Sequence, residues 1–111
     1  LALPMPTDPR LLRLAKMLIA QPADNRTLGE WAVEIGTSKR TLGRLFTAQT
    51  GRSFREWRQQ RRLLRALELL ATGASVTDVA LELGYENASA FIAMFRRCFG
   101  TTPKRYLKGE T

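Results

Sequence analysis

Arg40 and Arg44 stand four residues apart in the run Ser38-Lys39-Arg40-Thr41-Leu42-Gly43-Arg44-Leu45-Phe46, a spacing that brings both guanidinium groups to one face of a helix. Each offers a planar fork of N–H donors, which matches paired acceptors such as a phosphate or the O6 and N7 edge of guanine. Leu42, Leu45 and Phe46 take the opposite, inward side and leave Lys39, Arg40, Gly43, Arg44 and Thr47 facing outward. Ser38 and Lys39 open the helix, where unsatisfied backbone N–H groups favour a phosphate, and Ser38 can serve equally as the N-cap.

Other chemistries find little material. The chain has no His and one cysteine, Cys98, so the usual nitrogen ligand, the commonest general base and any internal disulfide are missing. Its carboxylates are scattered and no glycine-rich loop could cradle a nucleotide, so no catalytic residue, metal or cofactor is expected and an enzyme is the least favoured reading. Lys plus Arg number 18 against 10 Asp plus Glu, a net charge of +8, and 14 of the cations are Arg. That balance suits a polyanion.

At 111 residues with 44% apolar side chains, the chain can build one compact unit or two half-sized ones. No apolar run approaches the ~20 residues of a membrane-spanning helix, and the start lacks a secretory pattern, which predicts a cytoplasmic protein with no membrane partner. The opening Leu-Ala-Leu-Pro lacks an initiator Met and predicts a fragment of a longer chain.

The elements that must position the arginines follow from caps and periodicity. Residues 1–7 read as an extended lead-in, and Asp8-Pro9 opens a helix to Gln21 with Leu11, Leu14, Ala15 and Leu18 inward. Thr27-x-x-Glu30 is a capping box, after which Leu28, Trp31, Ala32 and Ile35 fall at i, i+3, i+4 and i+7. Gly36 then permits a left-handed turn, and Ser38 caps the Arg-bearing helix, which Gly51 stops. Two short helices across a glycine turn form a helix-turn-helix candidate, whose second helix can enter a DNA major groove.

The second half of the chain repeats this pattern. Val76, Val79, Ala80, Leu83 and Gly84 answer Leu28, Trp31, Ala32, Ile35 and Gly36 at an offset of 48, and Ser75-x-x-Asp78 repeats the cap. Beyond the turn the offset is 49: Phe91, Met94, Phe95, Gly100 and Tyr106 answer Leu42, Leu45, Phe46, Gly51 and Trp57. The predicted fold is all-α, with about seven helices in two helix-turn-helix subdomains, 8–52 and 73–111, joined by a linker helix at 53–72; the last helix runs from Thr102-Pro103 to about Lys108. Along the linker Trp57, Leu63, Leu64, Leu67 and Leu70 form one face. Arg55, Arg58, Arg61, Arg62 and Arg65 form the other, read first as a solvated stripe and second as a source of phosphate contacts. Its length of roughly 28 Å is comparable to the roughly 34 Å turn of B-DNA.

From Thr27 to Tyr106 the chain resembles the DNA-binding domain of AraC/XylS-type transcription regulators. Ser38 to Phe46 is similar to the first recognition helix, Gly51-Arg52-Ser53-Phe54 to its exit, and Arg62-Leu63 with Ala66 and Leu69-Leu70 to the linker signature. Val79-Ala80, Gly84-Tyr85, Phe91, Phe95-Arg96-Arg97, Phe99-Gly100 and Pro103 match the C-terminal signature closely. The resemblance implies seven helices and promoter binding that activates or represses transcription, with recognition helices at about 38–49 and 88–99 entering successive major-groove segments. It also implies RNA polymerase subunits as partners, and any small-molecule effector or dimerisation only through a separate N-terminal domain.

By resemblance Arg40 and Arg44 occupy base-reading positions. Their equivalents in the second unit are Ser89 and Ala93, with Ile92 in the place of Gly43. Ser89 can make one hydrogen bond, whereas Ile92 and Ala93 can only pack on a thymine methyl or a sugar. Phosphate contact is expected from Ser38, Lys39, Thr47, Arg52, Ser53, Asn87 and Arg96, with Asn87 doubling as a cap and Arg96 and Arg97 suiting the C-terminal helix dipole. Trp31, Trp57, Phe46, Phe95 and Tyr106 sit in apolar periods and read as core; Cys98 reads as a small packing residue. Two rivals remain: a helical module whose Arg face docks on an acidic protein, and a membrane-surface binder, which needs the apolar face of the linker to be open.

Overall fold

Asp8 turns the chain into its first helix because its carboxylate accepts from the backbone N–H groups of Arg10 and Leu11 while Pro9 supplies a preset φ. The computed structural model describes residues 3–109, in which seven helices follow one another: α1 (Pro9–Ala20), α2 (Leu28–Ile35), α3 (Lys39–Thr50), α4 (Phe54–Ala71), α5 (Val76–Glu82), α6 (Ala88–Phe99) and α7 (Pro103–Leu107). No strand occurs among the described residues. Each expected cap is in place, with Thr27, Ser38, Ser75, Asn87 and Thr102 all accepting from the N3 backbone N–H. Helix α1 ends one residue before the expected Gln21, which is its C-cap.

The chain divides into two compact units at Arg61/Arg62, within α4. In the first unit Leu11, Leu14 and Leu18 of α1 meet Trp31 and Ala32 of α2, Leu42 and Phe46 of α3, and Phe54 and Trp57 at the start of α4. Phe46 stands edge-on to Phe54 and Trp57 at 5.7 and 5.6 Å, the arrangement that ring quadrupoles favour. Leu45, expected inward, is half-buried at the edge of this cluster.

The lead-in docks on the same unit. Trp57 Nε1 donates to the Pro4 carbonyl at 2.6 Å, and the backbone N–H groups of Thr7 and Asp8 both donate to Gln49 Oε1 at 2.9 Å. Residues 1 and 2 of that segment lie outside the described residues.

In the second unit Leu63, Ala66 and Leu70 of α4 pack with Val79, Ala80 and Leu83, and with Phe91, Met94 and Phe95 of α6. Leu67 packs partly buried against this cluster, and Trp57 is wholly buried in the other. Trp57, Leu63 and Leu70 of the apolar face of α4 are thus buried and Leu64 and Leu67 partly so, which counts against the open face that a membrane-surface reading needs. No helix among the described residues is long and apolar enough to cross a membrane.

Three expectations give way here. The arginine stripe of α4 is not a solvated face: Arg58 donates to the Arg26 carbonyl and lies over the Phe54 ring, and Arg61 donates to the Ile19 carbonyl at 2.9 Å. In the second unit Arg62 lies over Tyr85, and Arg65 pairs with Glu68 and Glu82 at 3.0 and 3.6 Å. The long stems bury while the forks turn to the Ile19 and Arg26 carbonyls, to rings and to carboxylates, so only Arg55 of the five is exposed. Tyr106 packs on Phe95 and Phe99 at 5.6 and 5.0 Å yet stays 39% exposed. Helix α7 has only five residues, and no described residue covers the exposed part of that ring. Cys98 is exposed, its Sγ 3.9 Å from Met94 Sδ, because the inward face of α6 is filled by Phe91, Met94 and Phe95.

Candidate nucleic-acid interface

A capping box sets the start of α2: Thr27 Oγ1 accepts from Glu30 N at 3.1 Å, and Glu30 Oε1 accepts from Thr27 N at 3.2 Å. At the other end Gly36 sits at φ +84°, a conformation that a side chain would strain, and its N–H closes on the Ala32 carbonyl at 2.9 Å. Helix α3 begins three residues later.

Gly43 permits the close approach of these two helices. A Cβ there would lie 3.1 Å from Leu28 Cδ2, so this position points at α2 and not outward as expected from the periodicity. The outward face consists of Lys39, Arg40, Arg44 and Thr47, all exposed. Among the described residues nothing engages the guanidinium groups of Arg40 and Arg44. Two forks on one helical face, with no internal partner, are available to an external acceptor.

The residues expected to touch phosphate differ in what they have left to offer. Ser38 Oγ accepts from Thr41 N at 3.1 Å and bonds Thr41 Oγ1 at 2.9 Å, so its hydroxyl already serves the cap. Ser53 is likewise occupied: its Oγ accepts from Glu56 N at 3.1 Å and its N–H donates to Glu56 Oε1 at 3.0 Å. These bonds to Ser53 hold the Glu56 carboxyl below its ordinary value. Lys39 and Arg52 are exposed. Thr47 and Ser53 line one open groove of about 500 Å³ in the first unit, beside Arg55 and Gly43.

Helix α6 carries a different surface. Asn87 caps it through Oδ1, which accepts from Ala90 N at 2.9 Å, and the amide N–H groups of this exposed residue remain to be used. Ser89, Ala93 and Arg96 are exposed and recur at i, i+4 and i+7, one face, while Ile92 is half-buried. Arg96 also borders a polar cavity of about 420 Å³ with Gly100, Thr101, Thr102 and Arg105. The sequence reading passed over Thr101 and Arg105. A signal was present, since the offset of 49 that runs through this half of the repeat sets Thr101 opposite Arg52.

Among the described residues no group of His, Cys, Asp and Glu could hold a metal ion. The pH-sensitive features are few: burial raises the Tyr85 phenol, and the Arg26 side chain holds the Asp24 carboxyl low.

The helix-turn-helix domain family matches residues 31–109. Over 107 residues the chain is 42% identical to the HTH-type transcriptional regulator NimR of Escherichia coli, covering 96% of this chain and 39% of that protein. It is 41% identical over 76 residues to the regulatory protein SoxS of Salmonella typhimurium, covering 68% of this chain and 71% of SoxS. Its fold is similar to the DNA-binding domain of AdpA, a global transcriptional factor solved in complex with a target DNA, at a TM-score of 0.80 and 28% identity over 90% of each chain. The chain spans about two-fifths of the length of NimR. A duplicated capped helix pair, a glycine turn at the same point of each copy and these likenesses place the chain in the family of AraC-type helix-turn-helix regulators.

Proposed function

We propose that this chain is the double-stranded-DNA-reading portion of a bacterial transcription regulator, with α3 and α6 entering successive major-groove segments. The observation that carries the proposal is the pair Arg40 and Arg44, exposed and unengaged on the outer face of a helix that follows a tight glycine turn. Each fork fits guanine O6 and N7, worth about 1 to 3 kcal/mol of discrimination per good pair. On α6, Ser89 supplies one hydrogen bond, and Ala93 with the accessible part of Ile92 supplies apolar contact to a thymine methyl.

Lys39, Thr47, Arg52, Asn87 and Arg96 take backbone phosphates. Ser38 does so only by exchanging the bond its hydroxyl donates to Thr41 Oγ1, and Ser53 does so through its hydroxyl proton, since the cap uses its Oγ as an acceptor. This is the division between positioning and reading that protein–DNA interfaces show in general.

Selecting bound duplexes from a random pool tests the proposal. The expected result is one preferred site with two protected major-groove segments about 10 base pairs apart on one face. Equal retention of unrelated duplexes, or protection confined to a single segment, would reject it.

A partner surface is proposed on the outward side of the first helix of each pair. Val33 is 82% exposed between Glu30 and Glu34, and 48 residues on Leu81 is 57% exposed between Asp78 and Glu82. Acid-flanked apolar knobs on a strongly basic chain suit a basic surface of an RNA polymerase subunit. Val33→Ser and Leu81→Ser should leave DNA affinity intact and reduce transcription activation; unchanged activation by both would reject this surface.

A further inference from the structure

The cavity at the end of α6 holds an unusual pairing of groups. Two arginines border it, Arg96 from α6 and Arg105 from α7, and Thr101 lines the wall between them. Thr101 is only 5% exposed, and its Oγ1 is buried with no hydrogen-bond partner among the described residues. Leaving a hydroxyl in that state costs stability, because its bonds to bulk water are lost and no described residue replaces them. A chain that keeps such a group beside two arginines with no ion-pair partner among the described residues has the elements of an oxyanion site: two positive forks and a neutral donor.

The repeat supplies an internal control. At the offset of 49, Arg96, Thr101 and Arg105 correspond to Thr47, Arg52 and Glu56 of the first unit. The arginine of α7 is thus matched by a carboxylate, which is consumed by its bonds to Ser53. The first unit therefore lacks the cradle, and the asymmetry is opposite to that of the recognition faces, where the first unit has the arginines.

We infer that Arg96, Thr101 and Arg105 form a seat for one phosphodiester of the DNA backbone, which anchors the second unit where its base-reading face is weakest. Arg96 shares the outer face of α6 with Ser89 and Ala93, so an anion held there lies along the duplex that those residues meet. The inference rests on the DNA-binding reading.

The test compares the wild-type chain with Thr101→Val and Arg105→Gln on the selected duplex and on an unrelated one, across a salt series. Thr101→Val replaces an unpartnered buried hydroxyl by a methyl of the same shape, so its Tm should not fall. Its affinity should drop about threefold to tenfold on both duplexes. A residue that only supports the fold would lose stability and affinity together. Arg105→Gln should flatten the log–log salt slope by about 0.9, the loss of one phosphate contact, with the base preference unchanged. If the wild type binds the selected duplex and both variants keep its affinity and slope, the seat does not exist. Loss confined to the selected duplex would overturn it as well, by making these residues base readers. Titration of the DNA-free chain with inorganic phosphate separates the sources: if phosphate shifts the Thr101 and Arg105 amide signals while both variants keep wild-type DNA binding, the site belongs to a free anion and the backbone assignment fails. Failure of the wild type to prefer any duplex would instead sink the DNA reading itself.

Discussion

Arg40 and Arg44 illustrate what exposure adds to residue type. The chain carries 14 arginines, but those at 58, 61, 62 and 65 spend their forks on carbonyls, rings and carboxylates within their own unit. Arg40 and Arg44 spend theirs on nothing described. Replacing either by Ala should therefore cost about 1 to 3 kcal/mol on the selected site and relax the preference at one base pair. Ser89→Ala should cost well under about 1 kcal/mol, since one hydroxyl bond exchanges for water at little net gain. Equilibrium binding to a panel of single-base site variants measures both; full affinity in the two Arg variants with a large loss at Ser89 would reverse the assigned roles. Asp24 poses a separate residue-scale question. Its carboxylate takes a bond of 2.7 Å from Arg26, whose guanidinium also lies 3.7 Å from the centre of the Trp31 ring. The Arg26 hydrogen bond holds the Asp24 carboxyl below the ordinary 3.8, so the contribution is complete above that value and is lost as pH falls through the lowered one. Arg26 is partly solvated, so solvent screening keeps the effect small. Thermal melts of Asp24→Asn should lie below wild type at about pH 6 and converge with it by about pH 2.

At the scale of elements the contact between α2 and α3 decides whether the reading helix is presented. Gly43 faces Leu28 in the first unit, and the second unit has Ile92 and Val76 at the corresponding places, a larger residue opposite a smaller one. Gly43→Ile should overpack this junction and destabilise the first unit by about 1 to 3 kcal/mol. Adding Leu28→Val should recover part of that loss, because the branch that clashes is shortened. Denaturant unfolding of the two single variants and the double variant gives the coupling. Strict additivity would show that the side chain at 43 does not point at α2.

For the whole molecule the relevant quantity is the charge of +8. If phosphates take Lys39, Arg52, Arg96 and their neighbours, condensed counterions are released and affinity should fall steeply with salt, each contact contributing about −0.9 to the log–log slope. A slope shallower than about −2 on the selected duplex would count against direct binding. The same affinity should be nearly flat between about pH 6 and 7.5, because the chain has no His to change charge there.

Helix positions, caps and the duplication were legible in the sequence because they are set locally. An N-cap needs only its own side chain and the N–H three residues on, and an apolar face needs only a period of 3.6. The tight glycine turns and the two arginines on one face follow from the same short-range rules. What the amino-acid order could not disclose is how each polar side chain is spent. That the α4 arginines turn back on the Ile19 and Arg26 carbonyls, that Gln49 holds the lead-in, and that Gly43 points at Leu28 all depend on segments brought together from 15 to 42 residues apart. The cavity at Thr101 is of the same kind: its hydroxyl stands out only because the fold buries it and no described residue provides a partner. Residue type set the available chemistry, and tertiary packing decided which groups were already satisfied and which were left for a ligand, since burial and hydrogen-bond partnership are properties of the folded neighbourhood.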